Sequence, residues 1–360
     1  MNKLINDRTA RTSPRLFRTT ADRAQALLAA CPVHAATPLV DANVLARDLG
    51  IRKASLKLES NRMRLGSFKA LGGAFALAQM VNDKASTVLG RTVHAEEMQS
   101  DDVKAIAAKE TFITASAGNH GLSVAAGGAI FGANVVIVLA VSVPEAFADR
   151  IRAIGAKVVR IDGSYEDSVA YAIDTASSEG WQLLADGSWS GYVDPPALVM
   201  EGYTVMAEEC RQAFEASGDW PTHVILQAGV GGLAGAMAAH IRDHWAVQPH
   251  IAVVEPEAAP CLITSMRAGE LTNSPGPLSH MGRLDCKDAS LIAFDALRTD
   301  ADVFVTVTED EGSDAVNKLA NYDVATTSSG GGGVAALFVN GLINLDENSH
   351  VLAIISEGPE

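Results

Sequence analysis

The sequence predicts an α/β chain of two lobes, each a mostly parallel twisted sheet flanked by helices. Three observations carry this. The 360 residues exceed what one hydrophobic core usually serves. From Thr111 onward, short apolar runs alternate with helix-compatible segments, the pattern of βαβ units and a parallel sheet. That alternation comes in two series, separated at residues 187–196 by a Gly-, Ser- and Pro-rich stretch that suits a crossover between lobes.

From the N-terminus, residues 20–30 predict a short helix and Cys31-Pro-Val-His-Ala-Ala-Thr-Pro-Leu a turn-rich approach. Ser55-Leu-Lys-Leu alternates like a strand that ends at Glu59. Residues 69–81 have helical spacing, with Ala70, Ala74, Ala76, Leu77 and Met80 as a packing face. Residues 82–110 are polar and charged without a strong period, and are expected to be an inserted surface loop or helix. The first series then sets strands at 112–114, 134–140, 157–161 and 181–185 against helices at 118–128, 144–154 and 165–179. The second has strands at 223–227 and 251–254 and closes on a strand at 351–355.

Hydrophobic content of 48% and charged content of 20% suit a globular core. With 28 basic against 43 acidic residues the net charge is −15, which disfavours nucleic acid or anionic membrane as a partner. No apolar run approaches bilayer length. Cys31, Cys210, Cys261 and Cys286 lack CxxC spacing, so reduced thiols and no zinc or other metal site are expected. The Arg- and Thr-rich N-terminus is interrupted by Asp7 and Pro14 and lacks an apolar secretory core, so a cytoplasmic location is expected.

Five stretches carry chemistry. Lys69 stands behind Ser67 and Phe68 and ahead of a small-residue run. Gly229-Val230-Gly231-Gly232-Leu233 lies between a strand and a small-residue helix, where glycines let backbone N–H groups and the helix dipole hold an anion. Residues 330–333 compete for that role, but residues 229–233 follow a cleaner strand. Ser116-Ala117-Gly118-Asn119-His120-Gly121 sits at a strand-to-helix turn whose N–H groups and hydroxyl could grip a carboxylate, with the Asn119 amide free for a phenolic oxygen. Thr326-Thr327-Ser328-Ser329 offers hydroxyls; one facing a pyridine nitrogen leaves the ring a weak electron sink, which suits elimination better than transamination. Asp186, at a strand's C-terminal end, could act as general acid or base. Each has a plainer reading as a turn or a helix cap. Together they read as a pyridoxal phosphate (PLP) site with Lys69 as the Schiff-base residue.

In this order, the motifs resemble the fold type II, or β-family, PLP enzymes, a group of tryptophan synthase β-like architecture that includes threonine dehydratase and cysteine synthase. SFKALGGAFAL, GNHGLSVA, QAGVGGLAGA and the ADGSWSGY segment with its following MEGY are most similar to the diaminopropionate ammonia-lyase branch. The resemblance spans residues 61–357. It implies a large PLP-binding domain of residues 1–75 plus 195–360 and a small substrate-side domain of 76–194. It further implies Lys69 as cofactor lysine and proton shuttle. Gly229, Val230, Gly231, Gly232 and Leu233 would cradle the phosphate; Asn119 would bond the ring oxygen and Ser329 the ring nitrogen. Ser116, Ala117, Gly118 and His120 would line the substrate carboxylate, and Asp186 would match one of two acidic active-site residues. One departure stands out: the residue before Gly-Asn-His is an aspartate in that lyase and Ala117 here, in the SAGNH form of threonine and serine dehydratases.

The expected function is PLP-dependent α,β-elimination on a small β-substituted α-amino acid such as 2,3-diaminopropionate, giving a 2-oxo acid and ammonia. The alternatives are a serine/threonine or hydroxyaspartate dehydratase and, further off, a β-replacement synthase or a PLP-binding protein without turnover. A homodimer is the assembly the resemblance implies.

Overall fold

The computed structural model describes residues 3–8, 10–116 and 118–359. Two sheets form its frame. The larger has seven strands in the order β1 (Lys3–Ile5), β10 (Val303–Val307), β9 (His250–Pro256), β8 (His223–Gln227), β11 (His350–Ile355), β3 (Lys53–Leu58) and β2 (Leu39–Asp41). The smaller has four, ordered β6 (Lys157–Ile161), β5 (Asn134–Ala140), β4 (Thr111–Ala115) and β7 (Gln182–Leu183). All pairings are parallel except the two edge pairings β1–β10 and β2–β3. In β5, every residue after Asn134 is buried, as expected of a parallel strand covered on both faces.

Helices α2 (Asn43–Leu49) and α6 (Glu145–Ala153) pack on the sheets, while α1 (Asp22–Leu28), α11 (Leu291–Asp300) and α12 (Glu309–Ala320) pack mainly on other helices. The crossover helix α7 (Tyr165–Glu179) starts with a reciprocal Ser164–Asp167 cap and stops at Gly180 in the left-handed conformation.

The centre of the molecule is a helix crossing. α3 (Lys69–Leu89) packs between α5 (Asn119–Phe131) and α8 (Asp194–Ser217), and all three are buried there. A Cβ on Gly72 would lie 2.4 Å from the Tyr203 ring, and one on Gly202 2.6 Å from the Leu71 carbonyl oxygen. The small-residue run after Lys69 thus lets α3 and α8 touch backbone to backbone, and Gly73 and Gly127 do the same toward α5. One apolar core joins residues of both sheets through this crossing, including Phe112, Ile137, Leu77, Met200 and Leu226.

Three elements differ from expectation. α3 runs to Leu89 because Val81 and Ala85 continue its buried face beneath a polar exterior. The rest of 82–110, expected as an inserted surface loop or helix, is a short 3₁₀ turn, Ala95–Glu97, and α4 (Asp101–Ala107), which agrees with the helical alternative. β7 has two residues, because the chain leaves the sheet before Asp186. β10, wholly buried against β9, has no counterpart among the expected strands.

Candidate active site

The carboxyl ends of β3, β4, β7, β8 and β11 face one region, where open α/β sheets hold ligands. Lys69 opens α3 there. The residues before it are tied to the closing strand: Phe68 N–H donates to Ser356 O at 3.0 Å and Ser67 bridges Glu357. The Lys69 ammonium donates to the Asp186 carboxylate; their side chains are 21% and 23% exposed. Its Nζ lies 5.4 Å from the Phe68 ring and 5.8 Å from that of Tyr203. Tyr203 is wholly buried, and its hydroxyl has no hydrogen-bond partner among the described residues.

Burial opposes charge on both members of the pair, and the pair overcomes it. Desolvation would lower the Lys69 pKa, but Asp186 raises it well above the usual lysine value. Desolvation would raise that of Asp186, but the Lys69 charge holds it far below the carboxylate range. Both are therefore ionised. The two residues before Asp186 are held at three points: Leu184 N–H donates to Ile113 O at 2.9 Å, Ala185 N–H to the Tyr192 hydroxyl at 3.0 Å, and the His120 ring meets Leu184 O at 2.8 Å. His120 is buried and its pKa is depressed, first by desolvation, so the ring is neutral and Nε2–H is the donor.

The glycine turn follows β8 and opens α9 (Gly232–His244). Gly231 has φ +98, which L residues adopt with strain. A Cβ on Gly229 would meet Cys286 Sγ at 2.9 Å and Leu284 Cα at 3.2 Å; one on Gly232 would point at Tyr203 Cε2, 3.5 Å away. The turn is thus a glycine-rich cradle at a helix N-terminus, one tyrosine away from Lys69, and it fits a phosphate. The competing glycines 330–333 serve packing: a Cβ on Gly330 would lie 2.2 Å from Thr326 Oγ1, and one on Gly333 2.8 Å from Gln227 Oε1. Beside the cradle opens a cavity of 310 Å³ lined by Gly187, Trp189, Val230 and Asn273 among others.

At the Asn-His turn, Ser116 Oγ accepts from the N–H groups of Gly118 at 3.3 Å and Gly121 at 3.0 Å. Asn119 opens α5 and its Nδ2 donates to Glu357 Oε2 at 2.5 Å. Ala117 lies outside the described residues. Thr327 donates to the other Glu357 oxygen, Thr326 Oγ1 to Glu357 O at 2.7 Å, and Ser329 Oγ accepts from Arg283 N–H at 3.1 Å. The structure therefore gathers Lys69 with Asp186, and Asn119 with the hydroxyl segment through Glu357.

Sequence reasoning missed Glu357, Tyr203, Cys286 and Arg283. Glu357 ends the closing strand, and its position at a carboxyl edge was the available signal. Cys286 faces the cradle through Gly229, and burial pushes its thiol up to about 12. Among the described residues no group of three His, Cys, Asp or Glu is placed to hold a metal, and no helix is long and apolar enough to cross a membrane.

Comparison with known proteins fits this geometry. A family model described as pyridoxal-phosphate dependent enzyme matches residues 31–357. The chain is 32% identical to the diaminopropionate ammonia-lyase of Escherichia coli (strain K12) over 322 residues, covering 89% of this chain and 79% of that protein. It superposes on the crystal structure of the Escherichia coli diaminopropionate ammonia lyase in complex with D-serine with a TM-score of 0.86 at 28% identity, covering 99% of this chain and 93% of that one. The structure of that lyase in complex with an aminoacrylate-PLP azomethine reaction intermediate gives a TM-score of 0.87 with the same identity and coverage.

Proposed function

Because the chain belongs to the pyridoxal-phosphate dependent enzyme family, we propose that it is an ammonia-lyase that eliminates the β-substituent of a small α-amino acid such as 2,3-diaminopropionate. One observation carries the reading: a lysine and an aspartate, ion-paired, lie across a single tyrosine from a glycine-rich turn at a helix N-terminus that fits a phosphate. Net, diaminopropionate and water give pyruvate and two ammonia.

PLP, when bound, supplies the electron sink that acidifies the substrate Cα. Lys69 would be its covalent anchor. The backbone N–H groups of Gly229, Val230, Gly231, Gly232 and Leu233 would hold its phosphate, with Asn119 and Ser329 as the side chains that would hold its ring. Ser116, Gly118 and His120 would form the wall against the substrate carboxylate, with His120 also holding the Leu184 carbonyl that precedes Asp186 by two residues.

Lys69 Nζ takes the Cα proton. Asp186 is the second proton carrier for an electrostatic reason. Once Lys69 is neutral, Asp186 loses the charge that keeps it ionised, and burial alone pushes its pKa upward. It then holds a proton for the leaving group within reach of Lys69. A hydroxyl leaving group is the second reading, favoured by the SAGNH form of the turn.

The same proposal includes two lobes, residues 1–75 plus 195–360 and 76–194, a homodimer and a cytoplasmic location. Lys69→Ala should abolish the cofactor's lysine-bound absorbance band, and an unchanged visible spectrum would sink the assignment. Release of 2-oxo acid from L- and D-diaminopropionate, serine, threonine and hydroxyaspartate ranks the leaving groups.

A further inference from the structure

Beside Lys69 stands a buried group without a partner. Tyr203, on α8, is wholly buried, and its hydroxyl meets no hydrogen-bond partner among the described residues. The hydroxyl end of the ring is wedged between two helix N-termini. Its Cε1 and Cζ lie 2.4 and 2.7 Å from where a Gly72 Cβ would stand, and Cε2 lies 3.5 Å from that position on Gly232. Gly72 comes three residues after Lys69, so both lie on one face of α3. Phe68 packs against the ring with centroids 4.8 Å apart, and Lys69 Nζ lies 5.8 Å from the Tyr203 centroid.

The unmet hydroxyl has a chemical reason. An ammonium carries three N–H donors and no lone pair, so a protonated Lys69 cannot accept the tyrosine proton. A neutral amine can. A tyrosinate would instead favour the Lys69 charge, but burial pushes the Tyr203 pKa above its ordinary value, so the group beside Lys69 is the neutral O–H. The other titratable groups around Lys69 are Asp186 after β7, His120 on α5, Tyr165 at the start of α7, and Cys286 in the loop between α10 (Cys261–Ala268) and α11. The last three are uncharged near neutral pH, His120 because desolvation depresses its pKa. Asp186 is thus the charge that favours the ammonium.

We propose that Tyr203 is a positioning residue whose hydroxyl donates to the Lys69 nitrogen when that nitrogen is neutral. Asp186 then stabilises the charged form of the base, and Tyr203 the uncharged form that takes the Cα proton. This rests on the reading of Lys69 as cofactor lysine and base. One satisfied buried donor corresponds to about tenfold in the neutral fraction of Lys69, or about one pH unit.

The test compares wild type with Tyr203→Phe, which removes the hydroxyl and keeps the ring. Each apoprotein is mixed with PLP from neutral to alkaline pH, and the rate at which the lysine-bound absorbance band forms reads the neutral fraction of Lys69. At each pH below the Lys69 pKa, Tyr203→Phe should form the band about tenfold more slowly than wild type, whereas Asp186→Asn should form it faster. In the loaded enzyme the acidic limb of kcat should move up by about one unit with KM little changed. The empty Tyr203→Phe chain should melt no lower than wild type, since no partner is lost, and should keep its thermal protection by inorganic phosphate. A rate within about twofold of wild type, a loss of phosphate protection, or an empty variant melting several degrees lower overturns the proposal. If wild type itself forms no lysine-bound band, the PLP reading falls and Tyr203 with it. If the band forms but no amino acid releases a 2-oxo acid, the elimination reading falls while the rate comparison still decides Tyr203.

Discussion

Replacing Gly232 by alanine should push the empty protein and its cofactor affinity in opposite directions. The added Cβ would meet Tyr203 Cε2 at 3.5 Å and Met200 Cγ at 4.0 Å, ordinary contacts that the fold accepts. Gly232 is the first residue of α9 and is not among the positive-φ glycines, so alanine removes unfolded-chain freedom without strain. That stabilises the apoprotein by about 0.4–1 kcal/mol, a rise of roughly 1–2 °C in a chain this long. The same methyl stands in the cradle where a phosphate must touch backbone, so PLP affinity should fall at least tenfold, about 1.4 kcal/mol.

Calorimetry of the apoprotein reads the first effect. PLP titration followed by absorbance reads the second, and thermal protection by inorganic phosphate should vanish in the variant. Gly231→Ala is the contrast: at φ +98, with its Cβ 3.0 Å from Ala293 Cβ, it should lower apoprotein stability by about 1–2 kcal/mol as well. If Gly232→Ala keeps wild-type PLP affinity, or melts several degrees lower when empty, residues 229–233 are not the phosphate cradle.

Two further outcomes follow from buried charge. Asp186→Asn keeps the shape but removes the carboxylate, so kcat should drop about 10²–10⁴-fold with a smaller change in KM. The Lys69 pKa, raised by that carboxylate, should fall, moving the PLP-binding optimum to lower pH; kcat within about fivefold of wild type would remove Asp186 from the proton path. Glu255 is buried behind the cradle and accepts from Leu262 N–H at 2.7 Å and Ile263 N–H at 2.8 Å, yet burial pushes its pKa up to about 8. The folded chain then binds more protons than the unfolded one between the ordinary carboxyl pKa and about 8. Stability should therefore decline as pH rises through that window, by up to about 1.4 kcal/mol per unit. Urea unfolding from pH 5 to 8 checks this, and Glu255→Gln should flatten the slope.

The sequence by itself determined what is local. Strand β5 shows as NVVIVLA because a parallel strand buried on both faces must be apolar throughout, and α7 shows its bounds through Ser164, Asp167 and Gly180. Lys69, the glycine turn and the Asn-His turn were legible for the same reason: each is a short run whose composition is tied to one backbone geometry. Asp186 was legible only as a strand end.

Tertiary structure decided the pairings, since these join residues far apart in the chain whose identities are individually common. Glu357 meets Asn119 across 238 positions, and nothing about a glutamate after a strand names its partner. Arg283 sits in a segment without periodicity, so its place over Gly118 depends on where the loop's two ends are anchored. The Lys69–Asp186 ion pair, spanning 117 positions, exists because Gly72 and Gly202 let α3 and α8 touch while His120 holds the end of β7 in place. A lysine and an aspartate form an ion pair only at that separation, and packing sets the separation.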